Sequence, residues 1–140
     1  MSKKHKIFVF GTLLPPESEH PFFVENVMID GAGFPLSFYM EGARTYGDIV
    51  LADDNQLASL DALEGHPSFY KRIPAKAYHS ETNKEVDVEF YMYSDKDDKK
   101  SPPRWLDGVS QSIEIFSNSH YRWVGSRGNF TGRGLEVYNV

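Results

Sequence analysis

With 140 residues and 16.0 kDa, the chain is the size of one domain, 1–140, and is long enough to bury a real core. Hydrophobic residues make up 40% and aromatics 14%, which sets it apart from disordered chains and suits an aromatic-rich β protein. Fifteen basic against twenty acidic residues give a net charge of −5, which argues against nucleic acid as a partner, because non-specific binding needs a positive field to exchange for counterions. No apolar run approaches a membrane span, and the basic start leads into too short a hydrophobic segment for a signal peptide. A soluble, cytoplasmic protein with no membrane partner is expected. The absence of cysteine removes a thiol nucleophile, a thiolate metal site and disulfide support.

Residues 7–10 are apolar at every position, as in a strand covered on both faces, and they run into a turn at Gly11. Glycine there opens backbone angles closed to other residues, so that the amides of Gly11, Thr12 and Leu13 converge into an anion-binding concavity. Pro15 and Pro16 force a bend, and Ser18 is placed to cap a short helix running to about Asn26. Residues 27–34 and 36–40 read as strands broken by Gly31, Gly33 and Pro35, and 44–51 as another. Asp53 or Asp54 caps a helix with Leu57, Leu60 and Leu63 on its apolar face, which stops abruptly at Gly65 and Pro67. Residues 69–79 and 85–93 form a hairpin around a polar turn at 80–83. In its second strand Val86, Val88, Phe90 and Met92 face one side, with Asp87, Glu89, Tyr91 and Tyr93 on the other. The charged, proline-containing stretch 94–104 reads as an exposed loop. Residues 105–140, carrying Tyr121, Trp123 and Tyr138, read as a C-terminal extension packing on the rest. Many short strands with few helices predict an α+β fold: a small, mixed, mostly antiparallel β-barrel flanked by short α-helices.

Glu64 stands at the helix stop, flanked by Leu63 and by Phe69-Tyr70. A carboxylate over an apolar pocket has a raised pKa, which suits general acid–base work near neutrality; the plain alternative is a solvated glutamate beside a glycine C-cap. Two motifs considered together are more specific than either alone. The segment Phe10-Gly11-Thr12-Leu13 and the later Leu60-Asp61-Ala62-Leu63-Glu64-Gly65 with Tyr70-Lys71-Arg72 resemble the γ-glutamylcyclotransferase-like superfamily, in its AIG2-like and γ-glutamylamine cyclotransferase branch. The resemblance spans roughly residues 6–93 and includes Gly47-Asp48-Ile49-Val50, where the family often has Gly-Glu followed by a hydrophobic residue and Tyr. One departure is Phe10, where the family has tyrosine, so that hydroxyl is missing.

The resemblance implies a small-molecule γ-glutamyl substrate, cyclised to 5-oxoproline with release of an amine and with no cofactor or metal. It implies Glu64 as the catalytic acid/base and Phe10, Gly11, Thr12, Leu13 and Tyr70 as substrate-binding residues, with Arg72 pairing structurally, for instance with Asp61. The alternative is a non-catalytic ligand-binding or interaction protein on the same fold. Other signals are weaker. The five histidines show no metal-ligand spacing, and Asp95, Asp97 and Asp98 lack the glycine and distal glutamate of a calcium loop. The glycine- and arginine-containing stretch 125–134 lacks the context of a phosphate loop and reads as a turn between strands. His66 reads as a turn residue, with modulation of Glu64 as the alternative. The aromatics Tyr121, Trp123, Phe130 and Tyr138 suggest an apolar wall favouring an alkyl or aryl leaving amine, or else ordinary core.

Overall fold

The computed structural model describes residues 4–31, 35–97 and 112–139. In chain order its elements are β1 (His5–Val9), β2 (Phe22–Asp30), β3 (Leu36–Ala52), α1 (Asp54–Glu64), β4 (Lys71–His79), β5 (Glu85–Met92), β6 (Ile113–Phe116), β7 (His120–Trp123) and β8 (Glu136–Val137). The apolar run of β1 is buried on both faces, and β1 also pairs on both edges. It runs antiparallel to β3, with Val9 opposite Asp48, and parallel to β5 at Ile7 and Glu89. With β5 on β4, β4 on β2 and β2 on β3, the pairing returns to β1, and the five strands form a closed ring. Closure leaves the ring without a free edge. The packed core includes Ile7, Phe8, Phe22, Ile29, Leu36, Ile49 and Phe90, all 2% exposed or less. The fold is α+β and mostly strand, as expected, but α1 is the sole helix among the described residues, not one of several.

The helix expected from Ser18 to about Asn26 is instead the start of β2. Phe22, Phe23 and Val24 are consecutive and all buried, which requires cover on two opposite faces and suits a strand more than an amphipathic helix. Ser18 Oγ accepts from the His20 amide at 3.2 Å rather than capping a helix. The stretches 36–40 and 44–51 are likewise one continuous strand. The pairing of β2 with β3 shifts register between Glu25 and Val27, and the Gly42 amide donates to Asn26 Oδ1 at 3.0 Å beside that irregularity.

Helix α1 begins where the sequence places it. The Asp53 side chain accepts from the Gln56 amide and the Gln56 side chain accepts from the Asp53 amide, both at 2.8 Å, a reciprocal capping box. It ends at Gly65 in the left-handed region, φ 68°, where the glycine amide donates back to Ala62. Leu57 and Leu60 pack into the core, but Leu63 is 42% exposed and lies at a cavity rim. The inner face of β5 is buried as expected. On its other face Tyr91 and Tyr93 are buried too, since α1 and the turn after it cover that end: the Tyr91 hydroxyl donates to Asp61, and Phe69 and Tyr93 lie 5.1 Å apart.

From the C-terminal extension, β7 runs parallel to β3, β6 pairs with β7, and β8 pairs with β3. Most of the stretch expected as an exposed loop, together with the first residues of the extension, lies outside the described residues. No described helix is long and apolar enough to cross a membrane.

Candidate active site

Where β1 runs out of the barrel and α1 stops, the chain leaves a cavity of about 390 Å³. Phe10, Gly11, Thr12, Leu13, Glu64 and Tyr70 all line it. Among the described residues, Glu64 is the only charged one that lines it. The carboxylate accepts no hydrogen bond from the described residues, and burial raises its pKa from 4.5 to about 7, with Arg133 pulling the other way. Its place at the C-terminal end of α1, the negative end of the helix dipole, also disfavours the ionised form. A carboxyl group poised there exchanges a proton readily near neutral pH. The left-handed turn at Gly65 holds it there: a Cβ at Gly65 would lie 3.0 Å from Phe69 Cβ, and the Phe69 and Tyr70 amides bond back to Gly65 and Glu64 at 2.8 and 3.1 Å.

Opposite stands the turn after β1, closed by the Leu14 amide on the Gly11 carbonyl at 3.0 Å. The amides of Gly11, Thr12 and Leu13 bond to no acceptor among the described residues, which leaves them available to an anion. The reason for glycine differs from the one expected. Gly11 does not have positive φ. Instead, a Cβ there would lie 2.3 Å from Pro35 Cγ and 2.7 Å from Pro35 Cδ, so that only glycine admits the proline against the turn. The Pro35 carbonyl in turn accepts the Tyr70 hydroxyl in a short bond. Burial, reinforced by Glu64 and Tyr93, pushes Tyr70 far above the usual phenol range, so that it stays neutral. Its proton is committed to the backbone, which leaves ring and lone pairs to a ligand. Phe10 is 7% exposed, its ring 6.2 Å from Phe8 and 6.3 Å from Phe90, and it contributes mostly to the floor.

Beneath the carboxylate lies a polar network. Arg72 binds Asp61 through Nε at 2.9 Å and Nη2 at 3.2 Å, as the sequence suggested, and Glu89 through Nη1 at 2.6 Å. Tyr91 donates to Asp61 at 2.7 Å. Burial alone pushes Asp61 up, but Arg72 and Tyr91 outweigh it and its pKa is lowered overall. His66 is a turn residue: its Nδ1 accepts the Arg72 amide at 3.0 Å.

Several pocket residues escaped the sequence reading. Tyr91 lines the cavity although its strand position pointed outward. Asn129 lines it from the segment read as a turn. Its amide reaches the Thr12 carbonyl at 3.0 Å, and its Nδ2 reaches Thr12 Oγ1 at 2.9 Å. Arg127 Nη1 donates to the carbonyls of Pro15, Pro16 and Ser18 at 3.0, 3.1 and 2.8 Å. The stretch around these residues is therefore a strap across the turn after β1. The mixture of glycine, asparagine and arginine was the available signal. Of the four tail aromatics, none lines the cavity; Tyr121 and Trp123 are buried, and Phe130 and Tyr138 pack against the core, so the apolar-wall expectation fails. No cluster of potential metal ligands occurs among the described residues.

This combination defines a small sheet-rich domain with a compact cavity lined by one carboxyl group and by a turn whose amides meet no acceptor among the described residues. The model of the gamma-glutamyl cyclotransferase, AIG2-like family matches residues 7–108, and the chain belongs to that family. A Vibrio cholerae protein named "Putative gamma-glutamylcyclotransferase" is 32% identical over 80 residues, an alignment taking in 49% of this chain and 70% of the relative. Among solved structures, one from Arabidopsis thaliana determined in solution matches with a TM-score of 0.55 at 19% identity, over 70% of this chain and 76% of the other. A crystal structure of a human protein matches with a TM-score of 0.54 at 22% identity, over 65% and 67%. One named gamma-glutamyl cyclotransferase matches with a TM-score of 0.55 at 19% identity, over 66% and 68%. At these identities the structural likeness establishes the fold.

Proposed function

We propose that this chain cyclises a γ-glutamyl compound to 5-oxoproline and releases the amine, with Glu64 as general acid/base and no cofactor. The observation that carries the reading is the carboxyl group at the end of α1, lifted to about 7 by burial, in one cavity with the turn after β1, whose amides meet no acceptor among the described residues. The substrate's α-nitrogen attacks its own γ-carbonyl carbon, the new C–N bond closes a five-membered ring, and the bond to the leaving nitrogen breaks. Starting from the α-ammonium, two protons leave the attacking nitrogen and two arrive on the leaving nitrogen. Glu64 is the group that relays them.

The amides of Gly11, Thr12 and Leu13 hold the substrate's carboxylate or the developing oxyanion. Tyr70 and Tyr91 supply walls that keep the chain folded on itself, which is where an intramolecular reaction gains most of its rate. The test is incubation with a panel of γ-glutamyl amines and dipeptides, with 5-oxoproline detected by mass spectrometry. Release of free glutamate instead overturns cyclisation in favour of hydrolysis. No turnover on any member favours a ligand-binding protein on the same fold.

A further inference from the structure

Asn129 stands outside residues 7–108 that the family model matches, yet it lines the cavity beside Thr12. Both of its backbone polar groups are engaged. The amide donates to the Thr12 carbonyl at 3.0 Å, and the carbonyl accepts Arg133 Nε at 2.6 Å. Two residues earlier, Arg127 gathers the carbonyls of Pro15, Pro16 and Ser18 and fastens the strap to the far side of the turn. On a backbone held this way the side chain has one near partner: Nδ2 reaches Thr12 Oγ1 at 2.9 Å. The direction of that bond decides what the hydroxyl can do. An amide nitrogen only donates, so Thr12 Oγ1 accepts, and the single hydroxyl proton is left to point elsewhere. It meets no acceptor among the described residues. Thr12 is half-buried and lines the cavity, and so do Gly11 and Leu13, whose amides are likewise without an acceptor there.

We infer that Asn129 is a positioning residue: by donating to Thr12 Oγ1 it turns the Thr12 hydroxyl proton toward the cavity, where that proton joins the amides of Gly11, Thr12 and Leu13 as a fourth donor to the anionic part of the ligand. The inference rests on the reading of this cavity as the site of cyclisation and deepens it. A hydroxyl free to rotate has to be ordered by the ligand as it binds, whereas one held beforehand does not, so the contact is made at a smaller entropic cost. Asn129 touches no reacting atom in this arrangement. Its whole influence passes through one oxygen, and it must vanish when that oxygen is removed.

The test is a double-mutant cycle on the wild type, Asn129→Ala, Thr12→Val and the double variant, with γ-glutamyl-L-alanine as the probe and 5-oxoproline as the readout. Asn129→Ala should lower kcat/KM by about 2- to 10-fold, the range for one neutral hydrogen bond. Thr12→Val should cost at least as much, and adding Asn129→Ala to it should cost nothing further. In a Thr12→Ser background, which keeps the oxygen, Asn129→Ala should cost its full factor again. Hydrogen exchange of the amides across 11–19 should be the same in Asn129→Ala as in the wild type, because the backbone bond to Thr12 and the bonds from Arg127 are kept. No loss in Asn129→Ala overturns the inference, as do losses that multiply in the double variant, which assign Asn129 a ligand contact of its own. Faster exchange in Asn129→Ala also overturns it and makes the side chain a fastening for the strap. Should the wild type form no 5-oxoproline, calorimetric binding of the same compound to the same proteins separates the two proposals. Losses of affinity that are coupled in this way sustain the inference while cyclisation fails, and absence of binding overturns both.

Discussion

Replacing Glu64 by Gln keeps the shape of the side chain and removes its charge, and it acts on stability and turnover in opposite directions. Burial lifts the pKa from 4.5 to about 7 in the folded protein. At about 1.4 kcal/mol per unit, ionising Glu64 in place costs up to roughly 3.5 kcal/mol relative to ionising it in the unfolded chain. Between the two values the folded state keeps a proton that the unfolded state has lost, so this group makes the wild type less stable as pH rises from 4.5 to about 7 and contributes no further change above that. Gln carries no such term. Thermal melts of both proteins should therefore coincide near pH 4 and separate progressively to somewhat above pH 7, the variant melting higher by up to about 10 °C for a chain of this size. Over the same range wild-type kcat/KM should rise through about pH 7, as the base ionises. The variant should lose about 10²- to 10⁴-fold in turnover and show no such limb. Parallel melting curves would refute the buried-carboxyl argument, and near wild-type turnover in the variant would refute the catalytic one.

Other positions give sharp expectations. Gly11→Ala should lower stability by about 1–3 kcal/mol in denaturant titrations, because its Cβ meets Pro35 within 2.3 Å, and should weaken substrate binding as Pro35 shifts. Thr12→Ser keeps the oxygen that accepts from Asn129 and should stay close to wild type, whereas Thr12→Val should raise KM; equal effects would mean that the hydroxyl is idle. Asp61→Asn should cost about 1.5–3 kcal/mol at neutral pH by weakening the charge-assisted bonds from Arg72 and Tyr91. Because the folded pKa of Asp61 is lowered, its contribution is present above the unfolded value of 3.8 and fades as pH falls through the folded one, the reverse of Glu64. Arg127→Ala should speed hydrogen exchange of the amides across 11–19 and raise KM, since three carbonyls there lose their common donor; unchanged exchange would remove the strap from the site.

Local chemistry alone settled a good part of this molecule. The run at 7–10, the capping box at Asp53, the stop at Gly65 and the hairpin around 80–83 are each specified by neighbours within a few residues, and each is legible in the chain order of residue types. The two motifs that carried the family resemblance flank these elements, so Phe10, Gly11, Thr12, Leu13, Glu64 and Tyr70 were all named before the barrel brought them to one cavity. What only the tertiary structure decided depends on which distant segment covers a residue. The strand at 22–26 forms because both of its faces are packed, and 36–52 stays continuous because β2 bulges opposite Gly42 instead of ending. Tyr91 turns into the site because α1 closes the outer face of its strand there. Gly11 is glycine because Pro35 arrives from across the barrel, and Asn129 reaches Thr12 and the cavity wall from far along the chain. Propensity and periodicity record a residue's own neighbours, whereas the pKa of a carboxyl group and the shape of a pocket are set by the packing of segments that share no local sequence.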